Sequence, residues 1–296
     1  MYDIIIIGAG PAGLTAALYA LRANKKVLVF EAKSYGGQIV NAATVENYPG
    51  IESISGFDYA TNLYNQVKKL GCEVKFETVE RVTEDKHVVT NEGEYDAKAV
   101  IIATGATNRK LNIDGEEEFI GRGVSYCASC DGNFYKGKDV AVNGGGNTAL
   151  EDALYLADIV NKVYLIHRRD EFRGESKLVS DLKEKENVEF ILNSTVKSIN
   201  GDKKLESITI ENKDGNTRDI KLDGLFIAIG QEPRNQVFSN VADINEYGYI
   251  ESPDGVHTKV DGIYVAGDTR VKTLRQLTTA VSDGSIAATM AIREMK

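Results

Sequence analysis

Residues 2–31, "YDIIIIGAGPAGLTAALYALRANKKVLVFE", and residues 138–167, "KDVAVNGGGNTALEDALYLADIVNKVYLIH", are two copies of one unit, offset by 136 positions. Asp3, Gly8, Gly10, Leu14, Ala17, Leu18, Tyr19, Lys26 and Val27 coincide with Asp139, Gly144, Gly146, Leu150, Ala153, Leu154, Tyr155, Lys162 and Val163. Each copy opens on an apolar run, turns on glycines, continues with a helical pattern and closes on a second run, "KVLVF" or "KVYLI". Such runs predict strands buried on both faces, as in a parallel sheet. The turns read G-x-G-x-x-G (Gly8, Gly10, Gly13) and G-x-G-x-x-A (Gly144, Gly146, Ala149). The first glycine permits the tight turn, the second lets the backbone approach a pyrophosphate, and the third small residue lets helix and strand pack closely. The N–H groups at the helix start then face that pyrophosphate. A lone glycine pattern is a weak signal. Two copies in the same strand–turn–helix–strand context predict two dinucleotide sites.

The ends of the second strands separate the two sites. Glu31 closes the first copy, where a carboxylate accepts hydrogen bonds from ribose hydroxyls and repels a 2′-phosphate, which suits FAD or NAD. His167 closes the second and is followed by Arg168, Arg169 and Arg173. Guanidinium groups pair with phosphate oxygens, so this end favours NADP.

Two later runs, "VIIATG" (100–105) and "LFIAIG" (225–230), read as late strands of the two nucleotide units. A third, "IYVAGD" (263–268), has no glycine pattern after it, and Asp268 stands at its end, where ligands bind in doubly wound sheets. From Gln276 onward the chain reads as a helix. The resulting fold class is α/β: two Rossmann-like, three-layer ββα nucleotide-binding domains, the second inserted in the first. The expected boundaries are 1–110, 111–235 and 236–296. The loop "GGQIVNAATVENYPG" (36–50) offers glycines for close backbone approach, residues 57–71 read as a helix, and residues around 188–216 as a hairpin region.

Composition agrees with this class. A chain of 296 residues is at the upper end of what one core supports, about 250–300 residues, and suggests two domains of ordinary size. A net charge of −9 argues against nucleic acid as the main partner. The apolar run at 4–7 is shorter than a secretory or membrane segment requires, so a cytoplasmic protein without membrane contact is expected.

Cys127 and Cys130, in "SYCASCDG" (125–132), are two of only three cysteines. A structural zinc site needs about four ligands, and no second C-x-x-C exists. A disulfide across two residues restrains little chain and is reduced in the cytosol. A redox dithiol near a helix start fits better, because one thiol there is readily held as thiolate. Asp131 follows as a proton-shuttling acid or as a turn residue before Gly132. Cys72 reads as a buried, inert thiol, and His87 and His257, with no obvious partners, are given no role.

Over nearly its whole length the chain resembles the low-molecular-weight thioredoxin reductases of bacteria. The motifs that carry the resemblance are "GAGPAG", "GGQ", "VENYPG", "ATGA", "CASCDG", "GGGNTA", "HRRDEFR" and "GDTR…RQLTTA". The resemblance implies FAD held by Gly8, Gly10, Pro11, Ala12, Gly13, Glu31, Gly36, Gly37, Gln38, Asn47, Asp268, Arg275 and Gln276. It implies NADPH on Gly144, Gly145, Gly146, Asn147, Thr148 and Ala149, with His167, Arg168, Arg169 and Arg173 at the 2′-phosphate. Electrons would pass from NADPH through FAD to the Cys127–Cys130 disulfide and on to thioredoxin. Cys130 would face the flavin, Cys127 would attack the protein substrate, and Asp131 would be the acid/base. Arg122 and Phe134 fall where family members contact thioredoxin, and members are homodimers.

Three positions depart from the family pattern: Ser129 for a common threonine, Asn143 for an apolar residue, and Asn133 for an aromatic one. Rival readings are an NADH-driven relative, which carries an extra N-terminal region, a ferredoxin-driven relative, which lacks the pyridine nucleotide motifs, and a flavin-bound redox sensor. With both sites required to reach one flavin, a rotation of the inserted domain about residues near 108–112 and 233–237 is expected.

Overall fold

Four consecutive isoleucines, Ile4 to Ile7, are at most 5% exposed. Ile4 and Ile6 join one apolar cluster and Ile5 and Ile7 another, because successive side chains of a strand point to opposite faces. A strand apolar at every position is therefore one covered on both sides. Each such burial contributes about 1.5–3 kcal/mol. The computed structural model describes residues 1–42 and 44–295; Ala43, in the loop at 36–50, lies outside the described residues.

In chain order the first elements are β1 (Tyr2–Ile7), α1 (Pro11–Arg22), β2 (Val27–Phe30), α2 (Gly56–Lys69), β3 (Glu73–Lys75), β4 (Val79–Val82), β5 (His87–Thr90), β6 (Glu94–Ile102) and β7 (Thr107–Asn108). Then follow β8 (Val124–Ser125), α3 (Ala128–Asp131), β9 (Asp139–Gly144), α4 (Asn147–Ala157), β10 (Lys162–Ile166), α5 (Ser176–Lys183) and β11 (Val188–Ile191). The remainder is β12 (Ser194–Gly201), β13 (Leu205–Asn212), β14 (Thr217–Lys221), β15 (Gly224–Ala228), β16 (Gln231–Glu232), β17 (Ile263–Val265) and α6 (Leu277–Glu294).

The chain divides into two units, Met1–Thr107 with Glu232–Lys296, and Asn108–Gln231. The two crossings, β7 and β16, pair with each other as a short ribbon. In the first unit the sheet order is β3-β2-β1-β6-β5-β4, with β17 also on β6. Strand β6 has two functions. Its Ala97–Ile102 half lies parallel to β1, and its Glu94–Asp96 end pairs antiparallel with β5. One face of the sheet packs on α1, α2 and α6, and the other is covered by Val79, Val82, Val88, Phe238, Val241 and Ile250. Helix α2 starts at Ser55, whose hydroxyl accepts the Asp58 N–H and caps the first turn.

The second unit repeats the plan. A parallel sheet, β11-β10-β9-β15-β8, has α4 and α5 on one face and the antiparallel sheet β12-β13-β14 on the other. The hairpin region at 188–216 is thus β11 followed by the first two strands of a three-stranded sheet. Both units are three-layer ββα structures of Rossmann type, the second inserted in the first. Asn143, at the end of β9, keeps register between Ile166 and Ile227 and is 8% exposed. The polar side chain is accommodated without a break in the sheet. No helix among the described residues is long and apolar enough to cross a membrane.

Candidate active site

The dithiol segment is fixed from both ends. Strand β8 pairs with β15, and this places Ser125 beside Phe226 in the sheet. Three residues later the chain turns into the one-turn helix α3, with Cys127 as its N-cap. Cys127 and Cys130 form a disulfide with Cα atoms 5.3 Å apart. Ser125 Oγ accepts the Cys127 N–H at 3.1 Å and donates to Asp131 Oδ2 at 2.6 Å. Among the described residues nothing bonds Asp131 Oδ1, which is buried. Burial pushes the Asp131 carboxyl above its ordinary range, and the Ser125 bond opposes this only in part. Tyr135 is pushed up to about 12, first by burial and then by the charges of Asp131 and Asp223. Gly132 lets the segment pack on α4, since a Cβ there would fall 2.9 Å from the Tyr155 ring.

Glu116 holds the other side of this segment. It is 1% exposed, and its Oε1 accepts the Leu111 N–H at 2.9 Å and the Tyr126 hydroxyl at 2.8 Å. Its Oε2 accepts the Asn112 N–H at 2.7 Å. One buried carboxylate therefore ties the residues after the first crossing to the residue before Cys127.

In the first unit the glycine turn joins β1 to α1. Gly8 has φ +110°, and a Cβ there would collide with the Ala103 carbonyl. A Cβ at Gly13 would overlap the Gly8 oxygen. The N-cap of α1 is Gly10, so no side chain caps the helix start. Gly37 faces Gly10, a Cβ at Gly37 lying 3.3 Å from the Gly10 Cα. Glu31 accepts the N–H groups of Ala9 at 2.9 Å and Lys33 at 3.0 Å, which fixes its carboxylate beside the turn. Asn47 donates to Gln276 Oε1 at 3.1 Å. Asp268 lies in the turn Gly267–Thr269 before α6, raised by burial against the pull of Lys272 and Arg275. Among the described residues Asp268 Oδ1 and Arg275 Nε are buried and accept or donate no hydrogen bond. Such orphaned atoms, beside an uncapped helix start and two facing glycines, fit a ligand rich in hydroxyl and phosphate groups. The donors that a dinucleotide would need are thus present, including both groups at 268 and 275.

The second unit offers the same turn with different surroundings. Gly146 is the N-cap of α4, again without a side-chain cap. The backbone after His167 folds back on the turn, with Arg173 and Gly174 N–H both donating to Gly145 O, at 2.7 and 3.2 Å. Asn147 accepts the Glu175 N–H at 2.8 Å and donates to its carboxylate at 3.0 Å. The segment bearing Arg168, Arg169 and Arg173 is thereby fastened to the glycine turn. His167 is buried and stacked on Phe172, with ring centroids 5.3 Å apart. Burial first, then the three arginines, lower its pKa, so it is neutral near pH 7. Its Nε2 is buried and, among the described residues, unbonded. The arginine cluster and the orphaned nitrogen suit a phosphorylated nucleotide.

The residues expected at the first nucleotide therefore lie in the first unit, and those expected at the second nucleotide lie, like the dithiol, in the second. Arg122 and Phe134 are exposed, in the same unit as the dithiol. Cys72 is buried, and its thiol is pushed up to about 11 by burial. His87 and His257 require correction, since both have partners. His87 bonds Asp96 at 2.8 Å and Glu94 at 3.0 Å, and His257 bonds Asp254 and Glu294. Other contributors carry no sequence pattern. Asp283 of α6 accepts the Gly267 N–H at 3.0 Å, two Arg270 bonds at 3.0 and 2.8 Å, and Lys272 at 2.9 Å, and so fixes the Asp268 turn. Asn235 donates to the carbonyls of Gly248 and Thr269, both at 2.9 Å. Ser125 and Glu116 are of the same kind: single polar residues whose partners emerge only on folding. Among the described residues no group of side chains is arranged to hold a metal ion.

Comparison with known proteins agrees with this geometry. Residues 2–284 match the pyridine nucleotide-disulphide oxidoreductase family. The thioredoxin reductase of Bacillus subtilis is 46% identical over 97% of this chain and 93% of its own length. That of Listeria innocua is 44% identical over 97% and 92%. The crystal structure of thioredoxin reductase from Streptococcus pyogenes superposes with a TM-score of 0.95 at 41% identity, covering 99% of this chain and 98% of that one. The chain belongs to the pyridine nucleotide-disulphide oxidoreductase family and, within it, to the low-molecular-weight thioredoxin reductases.

Proposed function

We propose that this protein is an NADPH-dependent reductase that uses FAD and the Cys127–Cys130 pair to reduce the disulfide of thioredoxin. The observation that carries the reading is the Cys127–Cys130 disulfide beside Asp131, a half-buried acid with one buried oxygen unbonded among the described residues. On this reading the unit Met1–Thr107 with Glu232–Lys296 holds the flavin, and Asn108–Gln231 holds the nucleotide and the dithiol. Glu31, Asp268 and Arg275 face ribose, ribityl and phosphate groups, and the 168–173 arginines select the 2′-phosphate, which favours NADPH over NADH. When bound, the nicotinamide supplies a hydride and the flavin relays its electron pair to the disulfide.

The chain's own residues do the rest. In the reduced pair the Cys127 thiolate attacks the disulfide of thioredoxin and forms a mixed disulfide, and one thioredoxin sulfur leaves. Cys130 then gives up its proton and attacks Cys127 Sγ, which closes the internal disulfide and releases the second thioredoxin sulfur. Asp131 takes the Cys130 proton and returns it to a leaving thiolate. Two electrons and the Cys130 proton pass to thioredoxin, whose other sulfur takes its proton from water, and the chain returns to its oxidised form. Because one unit carries both the nucleotide turn and the dithiol, the reading includes its rotation about the crossings at 107–108 and 231–232. A homodimer in the cytoplasm completes it, as the family likeness suggests.

Anaerobic stopped-flow mixing tests the proposal. NADPH reduces the bound flavin rapidly, NADH much more slowly, and thioredoxin then reoxidises the enzyme. Absence of reduction by either nucleotide overturns it in favour of ferredoxin as donor. Equal rates would remove the role given to the arginines.

A further inference from the structure

We propose that Ser125 is a positioning residue that makes the two oxygens of Asp131 unequal, so that the proton exchanged with the dithiol resides on Oδ1. The proposal rests on the reading of Asp131 as the proton carrier given above.

Ser125 is 5% exposed and held in the sheet by its pairing with Phe226. Its hydroxyl has one proton to donate and two lone pairs. One lone pair takes the Cys127 N–H at 3.1 Å. The proton has two candidate acceptors, Asp131 Oδ2 at 2.6 Å and the Cys127 carbonyl at 3.4 Å. The shorter, charge-assisted bond wins. Oδ2 is therefore engaged as an acceptor. A proton arriving on Oδ2 would force the Ser125 hydroxyl onto the longer bond. A proton on Oδ1 leaves every existing bond in place, and Oδ1 is the buried atom without a partner among the described residues. The same hydroxyl holds the backbone N–H of Cys127, so one side chain couples the position of the outer cysteine to the ionisation of the acid.

The hydrogen bond also favours the ionised carboxylate, in opposition to burial. Loss of the hydroxyl therefore moves the titration of Asp131 to higher pH. Other titratable groups packed around it stay constant in that comparison. Besides the two thiols being read, they are Tyr135 in the following turn, which feels the charges of Asp131 and Asp223, and Tyr155 of α4, which lies against Gly132. Strand β15, next to Ser125, carries none.

The test is the pH dependence of alkylation of the reduced, flavin-loaded protein by iodoacetamide, read at Cys127 and Cys130 by peptide mass spectrometry. The wild type, Ser125→Ala, Ser125→Thr and Asp131→Asn are compared between about pH 5 and pH 9. The wild type shows an inflection that Asp131→Asn lacks. Ser125→Ala moves it upward by about one pH unit, and Ser125→Thr restores it. An unmoved inflection in Ser125→Ala, or no difference between wild type and Asp131→Asn, overturns the proposal. Should Ser125→Ala not fold, NMR of the labelled wild type decides. The Ser125 hydroxyl proton must be protected from solvent exchange while Asp131 titrates, and rapid exchange refutes the assignment. Alkylation needs no thioredoxin, so failure of the wild type to reduce thioredoxin would defeat the functional reading while leaving this result standing.

Discussion

The imidazole of His167 lies against the backbone of Gly145, so close that a Cβ on Gly145 would occupy the ring itself. The carbonyl of the same glycine accepts the N–H groups of Arg173 and Gly174. Gly145→Ala thus displaces His167 and loosens the arginine segment together. The expected result is a destabilisation of roughly 1–3 kcal/mol and weakened NADP⁺ binding by calorimetry, with flavin content unchanged because the residues proposed to hold the flavin belong to the other unit. Unaltered NADP⁺ affinity in a folded Gly145→Ala protein would contradict the placement of the nucleotide on this turn.

Glu116 should be more costly to lose than its partner Tyr126. Truncation to alanine removes the acceptor of two part-buried amides, of Leu111 and Asn112, besides that of the Tyr126 hydroxyl. Each group left without a partner costs at most about 1–3 kcal/mol, whereas Tyr126→Phe removes one net bond worth about 0.5–1.5 kcal/mol. Asn112 also has φ +57°, a backbone setting held in part by this carboxylate. Urea unfolding of the two single variants and the double variant gives the order and the coupling. A Tyr126→Phe loss equal to that of Glu116→Ala would show that the amides find other partners.

Both glycine turns were legible in the sequence because close approach of backbones allows no substitute for a small side chain at Gly8, Gly13 or Gly144. The alternation of Ile4–Ile7 between two cores was legible for the same local reason. Partnerships formed by distant segments were not. His257 meets Glu294 across 37 residues, and Asp283 meets Arg270 and Lys272 from the helix side of a turn. A single aspartate in a helix or a lone histidine in a loop reads as a solvated residue until the fold brings its partner. Ser125 stood inside the motif that drew attention to the cysteines, yet nothing local distinguishes a hydroxyl that binds an acid from one that faces water.

Asp152 on α4 is pushed up to about 7, first by burial and then by the charge of Glu151. A carboxyl whose folded pKa exceeds its unfolded value stabilises the fold below the unfolded pKa of about 4 and loses that contribution as pH rises through the folded one. Above about pH 7 the ionised, half-buried group is a liability. Asp152→Asn is therefore more thermostable than the wild type at pH 8, and the difference shrinks toward pH 4. A melting-temperature difference that does not vary with pH would mean that Asp152 is solvated.

His257 fastens the end of α6 to the preceding sheet. Its ring bonds Asp254 on one side and Glu294 at 3.1 Å on the other, and the Tyr264 hydroxyl donates to Glu294 at 2.7 Å. Glu294 ends a helix whose free carbonyls already make that terminus negative, so the nearby imidazolium offsets an unfavourable position. The bond to Asp254 raises His257, burial opposes, and Glu294 raises it further. Glu294 is held low, chiefly by the Tyr264 hydroxyl. The signs define a window. The histidine contribution is complete below about pH 6.5 and lost as pH rises through its higher folded value, while the carboxylate contributions are lost as pH falls below about 4. The clamp is strongest between these limits. His257→Gln keeps hydrogen-bonding capacity without the charge, so hydrogen exchange in the last turn of α6 should be faster than in the wild type near pH 6 and nearly equal near pH 9. Each partner is partly exposed, so the effect is confined to local fraying and leaves global stability almost unchanged. Equal acceleration at both pH values would assign the clamp to packing rather than charge.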